Sequence, residues 1–394
     1  MSKGKNGGIS LCIAYCFLEI LISTEIIYLI PSSFFSILKY VLAAVMTAYV
    51  LFDMRHIRFN SSHIPLALCA LVAVATAIFA RTLQIYMLLL IILLLRGYSF
   101  RQILRPMYVM LWAVFIFTVL MSLANIYPNV DHSRNGTVRN ALGFGTPTLG
   151  QSILLFLLLS HFYLKKNKMS YISIALYLIA VSAMYAFTVG RTGFYLSLFA
   201  IAAIFLYKIC SGAAVFNKFS SSNILCLALI ALPFVLLVLT LVLTRLYEAG
   251  VPFAVKLNAA LSTRLELQMN ALNERPITLF GQNIAWYNSQ NIYIGIDNSY
   301  LYHLFNYGLV VFVAALFMYS YILYGAWRRG DVCMMLVVVI ILIDGIVEPY
   351  MLDFKYNYFI LCIGSYVLNA KRTQNYFKNS LIFNIRLKNK EKAV

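Results

Sequence analysis

RLYEAGVPFAVKLNAALSTRLELQMNALNERPITLFGQNIAWYNSQNIYIGIDN, running from Arg245 to Asn298, is a long mixed-polarity stretch in a chain that is otherwise strongly apolar. It carries Arg245, Glu248, Lys256, Arg264, Glu266, Glu274, Arg275 and Asp297, although only 11% of the sequence is charged. The runs that bracket it, Leu225–Leu243 and Tyr300–Leu323, have the length of a bilayer-crossing helix, roughly 17–25 apolar residues. An interval of charge between two spans reads as a large loop at a membrane face.

Working outward, the same pattern recurs. The chain has 394 residues, 62% of them hydrophobic, with mean hydropathy +0.83, where soluble domains lie nearer half apolar. Apolar segments fall at about 9–30, 35–52, 64–80, 82–95, 106–124, 149–164, 170–188, 192–208, 223–244, 299–323, 332–349 and 354–370. They predict an all-α polytopic integral membrane protein with about twelve transmembrane helices, forming one membrane domain over residues 1–394. Cations collect at Arg55/Arg58, Arg96/Arg101/Arg105, Lys165/Lys166/Lys168, Lys208/Lys218, Arg328/Arg329 and the basic tail 371–394. Each of these follows an even-numbered span, so both termini are expected in the cytoplasm. The other face then has two long loops, about 125–149 and 245–298.

The formal charge of +18 is read as topological and gives no reason to expect nucleic acid. Seven cysteines lie in or beside apolar runs, a pattern of neither a disulfide framework nor a metal site. The first run carries Glu19 and Glu25 and no A-x-A-like cleavage site follows it, so it reads as a retained span. The two glutamates would lie about 120° apart on a helix and form no joint site.

The external face departs from the positive-inside rule. Arg81, Arg134, Arg139, Arg191, Arg245, Arg264 and Arg275 fall there, accompanied by Lys256 and Lys355. Arginine binds phosphate and carboxylate bidentately and stays charged when partly buried. Arg81 and Arg245, at span ends, read as ordinary loop or headgroup arginines. Three inward-running spans present their N-termini, the positive dipole ends, to this face. Thr146-Pro147 has the form of an N-cap followed by a first-turn proline. Gly190-Arg191-Thr192-Gly193 puts a cation on an open helix start, suited to an anion. Asp297-Asn298-Ser299 is a third N-cap pattern, and a plain cap is as good a reading of Asp297 as a catalytic role. Within the long loop, Leu257, Leu261, Leu265, Met269 and Leu272 form an i, i+4 stripe that predicts one amphipathic helix over Val255–Arg275. Arg264, Gln268 and Arg275 fall on or beside that stripe, and Glu266 opposite it, toward solvent.

Three segments together resemble the Wzy-type bacterial polysaccharide polymerases and, more broadly, the O-antigen ligase/polymerase superfamily. RNALGFGTPTLGQSILLF (Arg139–Phe156) is similar to an Arg-x-x-LGF-x-x-P-x-x-x-G segment of capsule polymerases. GRTGFYLSLFAI (Gly190–Ile201) is similar to a short R-x-G-x-x-x-x-L motif, and DNSYLYHLFNYGLVVFVAALF (Asp297–Phe317) to the segment that follows the long loop. Thr148 stands where many relatives have Asn, and Asp297 where ligase-like members have His. The likeness covers roughly the second two-thirds of the chain.

That resemblance implies a GT-C-like glycosyltransferase at the outer face of the bacterial cytoplasmic membrane. It would join undecaprenyl-pyrophosphate-linked repeat units into O-antigen or capsular polysaccharide, releasing polyprenyl pyrophosphate. Its partners would be lipid-linked donor and acceptor, membrane lipid, a chain-length regulator and a flippase. It would need no cofactor, and the sequence has no Asp-x-Asp pair, Gly-rich phosphate loop or His/Cys cluster of metal-ligand spacing. On this reading Arg191, Arg264 and Arg139, with Arg275 fourth, meet the pyrophosphates. Asp297 is the candidate base for the acceptor hydroxyl. Its rivals are Asp344 and Glu348, i and i+4 near the outer end of a span, for which an ion pair with an overlying arginine is the other reading. His132 and His303 lack sequence partners and read as structural, while Tyr287 and Tyr293 could stack on sugars or anchor at the interface. The alternatives are an O-antigen ligase, which would attach finished glycan to a lipid A core, and a polysaccharide flippase or transporter. A transporter would call for a polar central path and repeated halves, whereas charge here gathers on one face.

Overall fold

The computed structural model describes residues 6–54, 64–128, 130–134, 137–213, 216, 220–284 and 294–367. Helices α1 (Asn6–Ile22), α2 (Ser32–Met54), α3 (Ile64–Phe79), α4 (Gln84–Leu94) and α5 (Phe100–Leu123) lead to an antiparallel hairpin of β1 (Asp131–Arg134) and β2 (Thr137–Asn140). Helices α6 (Leu149–Lys165), α7 (Tyr171–Thr188), α8 (Arg191–Cys210) and α9 (Asn223–Glu248) follow. Two short helices, α10 (Pro252–Ala260) and α11 (Arg264–Glu274), occupy the charged interval. The chain continues through α12 (Ser299–Asn306), α13 (Gly308–Arg328), α14 (Val332–Asp344) and α15 (Cys362–Val367). The described fold is all-α but for that hairpin. Six helices, α2, α5, α7, α8, α9 and α13, are long and apolar enough to cross a membrane; α1, α3, α4 and α14 are apolar but shorter.

Helix α6 sits at the centre. Every residue from Leu149 to Ser160 is buried, with α5, α7, α8 and α14 packed around it. Its LGQSILLFLLLS sequence is apolar on nearly all sides, which is what a helix surrounded by other helices requires. The outer helices show the reverse of a soluble surface, exposing Ile172 and Ile179 on α7 and Ile224 and Leu227 on α9. Such faces carry no cost against lipid, where helix contacts rest on close packing and local hydrogen bonds. Hydroxyl caps start several helices: Ser170 accepts the Ser173 amide at 3.0 Å, and Ser222 accepts that of Leu225 at 3.2 Å.

The sequence expectations need four corrections. The amphipathic segment Val255–Arg275 is two helices, broken at Leu261–Thr263, where Ser262 and Thr263 take φ of +59° and +66°. Asn258 makes the break possible, because its Oδ1 accepts the Leu265 and Glu266 amides at 3.0 and 3.2 Å and so caps α11 from the previous helix. The apolar run 299–323 is likewise split, at Tyr307–Gly308 between α12 and α13. Helix α6 begins at Leu149, not at Pro147, because Leu149 N closes a turn onto Thr146 O at 3.2 Å and leaves Thr148 as the N-cap. Finally α1 stops at Ile22, so Glu25 stands outside it. Glu19 pairs with Lys39 at 2.6 Å, and Glu25 Oε1 accepts the Val130 amide at 3.1 Å.

The split between α12 and α13 is held from outside by the chain that follows α11. Leu309 and Val310 donate to Thr278 O and Leu279 O at 2.9 and 3.2 Å, and Gln282 N donates to Asn306 O at 3.3 Å. Gly281 and Gly308 face each other there, with φ of +89° and +86°. A Cβ on Gly308 would lie 2.3 Å from Gly281 N and 2.5 Å from Leu279 O, so both backbone angle and space demand glycine. Gly308→Ala is therefore expected to cost the strain of a forced left-handed residue, on the order of 1–3 kcal/mol, plus that overlap. Size-exclusion profiles of the detergent-extracted protein should show loss of the monodisperse peak; an unchanged peak and melting temperature would refute the clasp.

Candidate functional site

Loops at one end of the bundle surround a cavity of about 1290 Å³, larger than the roughly 300–1,000 Å³ of ordinary small-ligand sites. Helices α1, α7, α10 and α14 end there, and α4, α6, α8, α11 and α12 begin there. Arg139, Arg191, Arg264, Asp297 and Glu348, from four separated stretches of sequence, all line it.

The first wall is built from the starts of α6 and α8. The segment 141–148 reaches back to the residues after α1: Gly145 N donates to Ser23 O at 2.9 Å, and Glu25 N donates to Gly143 O at 2.8 Å. Neither helix start carries a side-chain cap, with Thr148 and Gly190 in the N-cap positions. Two sets of outward amides and two positive dipole ends thus meet one cavity. Gly193 explains the closeness of the pair, since a Cβ there would lie 2.8 Å from Gln151 Cβ on α6. The R-x-G spacing combines a cation at the helix start with contact one residue pair later. Arg191 is exposed, and its side chain makes no hydrogen bond or ion pair among the described residues. Arg139 is anchored by its Nε, which donates to Thr188 O at 2.9 Å.

The second wall is the lid helix α11 against the turn after α14. Arg264, the first residue of α11, is only 6% exposed at its side chain. Its Nη2 lies 2.7 Å from Glu348 Oε1, its Nε donates to Val347 O at 2.6 Å, and its Nη1 donates to Leu261 O at 3.2 Å. Thr192 Oγ1, on α8, donates to the same Glu348 oxygen at 3.4 Å, so this carboxylate ties the lid to the first wall. Asp297 Oδ2 stands 3.9 Å from Arg264 Nη2 with 27% of its side chain exposed, against 3% for Glu348. Asp297 is the carboxylate of this pair that a bound molecule can reach.

The DNS sequence builds the support beneath them. The cap of α12 is Asn298, whose Oδ1 accepts the Leu301 amide at 3.1 Å while its Nδ2 donates to Ile346 O at 2.7 Å. Ser299 Oγ donates to Glu348 O at 2.6 Å, and His303 Nε2 accepts the Leu352 amide at 3.2 Å. Asn298, Ser299 and His303 thus thread the turn that carries Glu348, and Asp297 is left clear of capping.

Other expected site residues lie elsewhere. Asp344 ends α14 and is buried without lining the cavity; one further turn follows, closed by Glu348 N donating to Asp344 O at 2.8 Å, so the expected i, i+4 relation is kept while only Glu348 reaches the lining. Of the two, Glu348 has the ion pair with an overlying arginine. Arg275 also stays outside the lining: its Nη2 donates to Ile294 O at 2.9 Å, and burial lowers its guanidinium from the usual value. Glu266 is exposed and Gln268 buried, as the helical pattern requires. Tyr287 and Tyr293 lie outside the described residues, as do the side chains of His132 and Arg134.

A third wall was invisible to motif reading. Lys355 Nζ is 3.4 Å from Asp353 Oδ2, and Gln84 Nε2, at the start of α4, donates to Asp353 Oδ1 at 3.2 Å. Burial raises the Asp353 carboxyl above the ordinary carboxylate range, and the Lys355 ammonium pulls it back. The closely spaced pair Asp353-x-Lys355 was its one sequence signal. Four cations and three carboxylates line the cavity, and Arg264–Glu348 and Lys355–Asp353 offset each other. The lining as a whole carries one more cation than carboxylate, and Arg139 and Arg191 both lie at the wall that carries two helix N-termini. Such a wall suits a phosphate-like anion, and Asp297 beside it suits proton abstraction. No family model matches the chain, and no curated protein or solved structure matches it either.

Proposed function

We propose that this protein is a polyprenyl-pyrophosphate-dependent glycosyltransferase of the Wzy polymerase type. The observation that carries the reading is the convergence of Arg139, Arg191 and Arg264, two uncapped helix starts and Asp297 on one cavity. In the proposed arrangement the chain crosses the cytoplasmic membrane about twelve times, with α12 and α13 together as one crossing and both termini inside. The cavity then opens at the outer face. Arg191, Arg139 and the amides of α6 and α8 hold the pyrophosphate of the donor, where charge grows as the leaving group departs. Arg264, fixed by Glu348, orients Asp297. Asp297 takes the proton of the acceptor hydroxyl as its oxygen bonds to the donor's anomeric carbon and the bond to pyrophosphate breaks. Glu348 is already engaged, which fits a single displacement without a covalent sugar intermediate.

The glycolipids of a deletion strain test this reading. A strain lacking the protein is expected to display single repeat units on its surface and to regain the polymer ladder on complementation. Repeat units absent from the surface acceptor would indicate a ligase, and units trapped inside the cell a flippase. Complementation by Asp297→Asn should fail; a full ladder with that variant removes Asp297 as the base.

A further inference from the structure

The third wall differs in chemistry from the rest of the cavity. The wall of α6 and α8 carries two arginines, the free amides of two helix starts and no carboxylate of its own. Gln84, Asp353 and Lys355 offer donors and acceptors side by side, and their two charges face each other at 3.4 Å. The same lining contains Tyr302 and Tyr350, both part-exposed, each braced by a buried ring. Tyr307 stands at 77° to Tyr302 with centroids 5.8 Å apart, and Tyr356 stands at 86° to Tyr350 at 5.4 Å. Braced rings lose little freedom when a ligand lies on them.

A phosphate would meet the Asp353 carboxylate here, and a cation would meet Lys355. An uncharged ring bearing neighbouring hydroxyls meets neither penalty: its hydroxyls can both give and receive hydrogen bonds, and its C–H face can lie on tyrosine. We infer that Gln84, Asp353, Lys355, Tyr302 and Tyr350 form a subsite for uncharged sugar rings of the glycan, separate from the anion wall. This rests on the glycosyl-transfer reading of the cavity, and it makes these five residues determinants of which repeat unit is accepted.

The probe is the free repeat-unit oligosaccharide, released by mild acid from the lipid-linked pool of the producing cell. Its binding to the full-length protein in lipid nanodiscs can be followed by saturation-transfer NMR titration. Tyr350→Leu and Gln84→Leu are each expected to weaken binding about tenfold, equivalent to ~1.4 kcal/mol, while Arg191→Ala binds as the wild type does. Two variants on different elements guard against one that fails to fold. No binding by the wild type, unaltered binding by both variants, or an equal loss in Arg191→Ala would overturn the subsite. The transfer reading fails on a different measurement: Arg191→Ala cells that still make full-length polymer refute it, whatever the oligosaccharide does.

Discussion

Cells whose only copy carries Arg191→Ala are expected to hold a normal amount of the protein in the membrane and to make no polymer beyond single repeat units. The side chain is exposed and makes no hydrogen bond or ion pair among the described residues, so its removal leaves no buried group without a partner and the fold is spared. What disappears is uncompensated charge at the start of α8, beside the uncapped start of α6. Removing one donor aimed at developing negative charge typically costs about 10²–10³ in rate. Arg191→Lys should recover only part of this, because an ammonium keeps the charge and loses the two-pronged geometry. The measurement is the glycolipid ladder beside an immunoblot of the membrane fraction. A normal ladder in Arg191→Ala would remove the arginine from the reaction and with it the assignment of this wall to pyrophosphate.

Glu348→Ala should have the largest effect on stability. Arg264 is almost wholly buried, and Glu348 is its close ionic partner at 2.7 Å. Breaking a buried pair by deleting one partner leaves a desolvated charge and costs roughly 3–5 kcal/mol. The loss should appear as a lower melting temperature and as faster proteolysis at the exposed turn around Thr263. Removing both charges is a different matter, since well-packed apolar replacements of buried pairs are often neutral or better. The double variant Arg264→Met/Glu348→Met is therefore expected to be more stable than Glu348→Ala while remaining inactive. Equal melting temperatures for wild type and Glu348→Ala would show that the pair does not hold the lid.

The helices were legible in the sequence because a run of apolar residues in a bilayer has few alternatives. Every apolar segment expected as a span contains a helix, although several are shorter or split. The arginines could be read because charge is so rare in this chain that position alone singled them out. What escaped depended on contacts between distant residues. Asn258 gives no sign in the i, i+4 stripe that it will cap the next helix, so α10 and α11 looked like one. Asp344 and Glu348 keep the i, i+4 relation that their spacing predicts, but the spacing does not tell which of them meets an arginine; that depends on Asn298 and Ser299 holding the turn at Ile346 and Glu348. The Gln84–Asp353 contact joins residues 269 positions apart, and no spacing rule reaches that far.

The burial of α6 has a consequence for traffic. Its start forms part of the chamber wall, and from Leu149 to Ser160 it is packed on every side, like a stopper seated in the neck of a flask. A molecule in this chamber cannot continue along α6 without dislodging a helix that is buried along twelve consecutive residues. On the proposed transfer reading, the incoming unit, the lengthening chain and the spent lipid would then have to leave from the end of the bundle at which they arrived. Turnover would become a queue, and the carrier that leaves last would decide when the next cycle can begin.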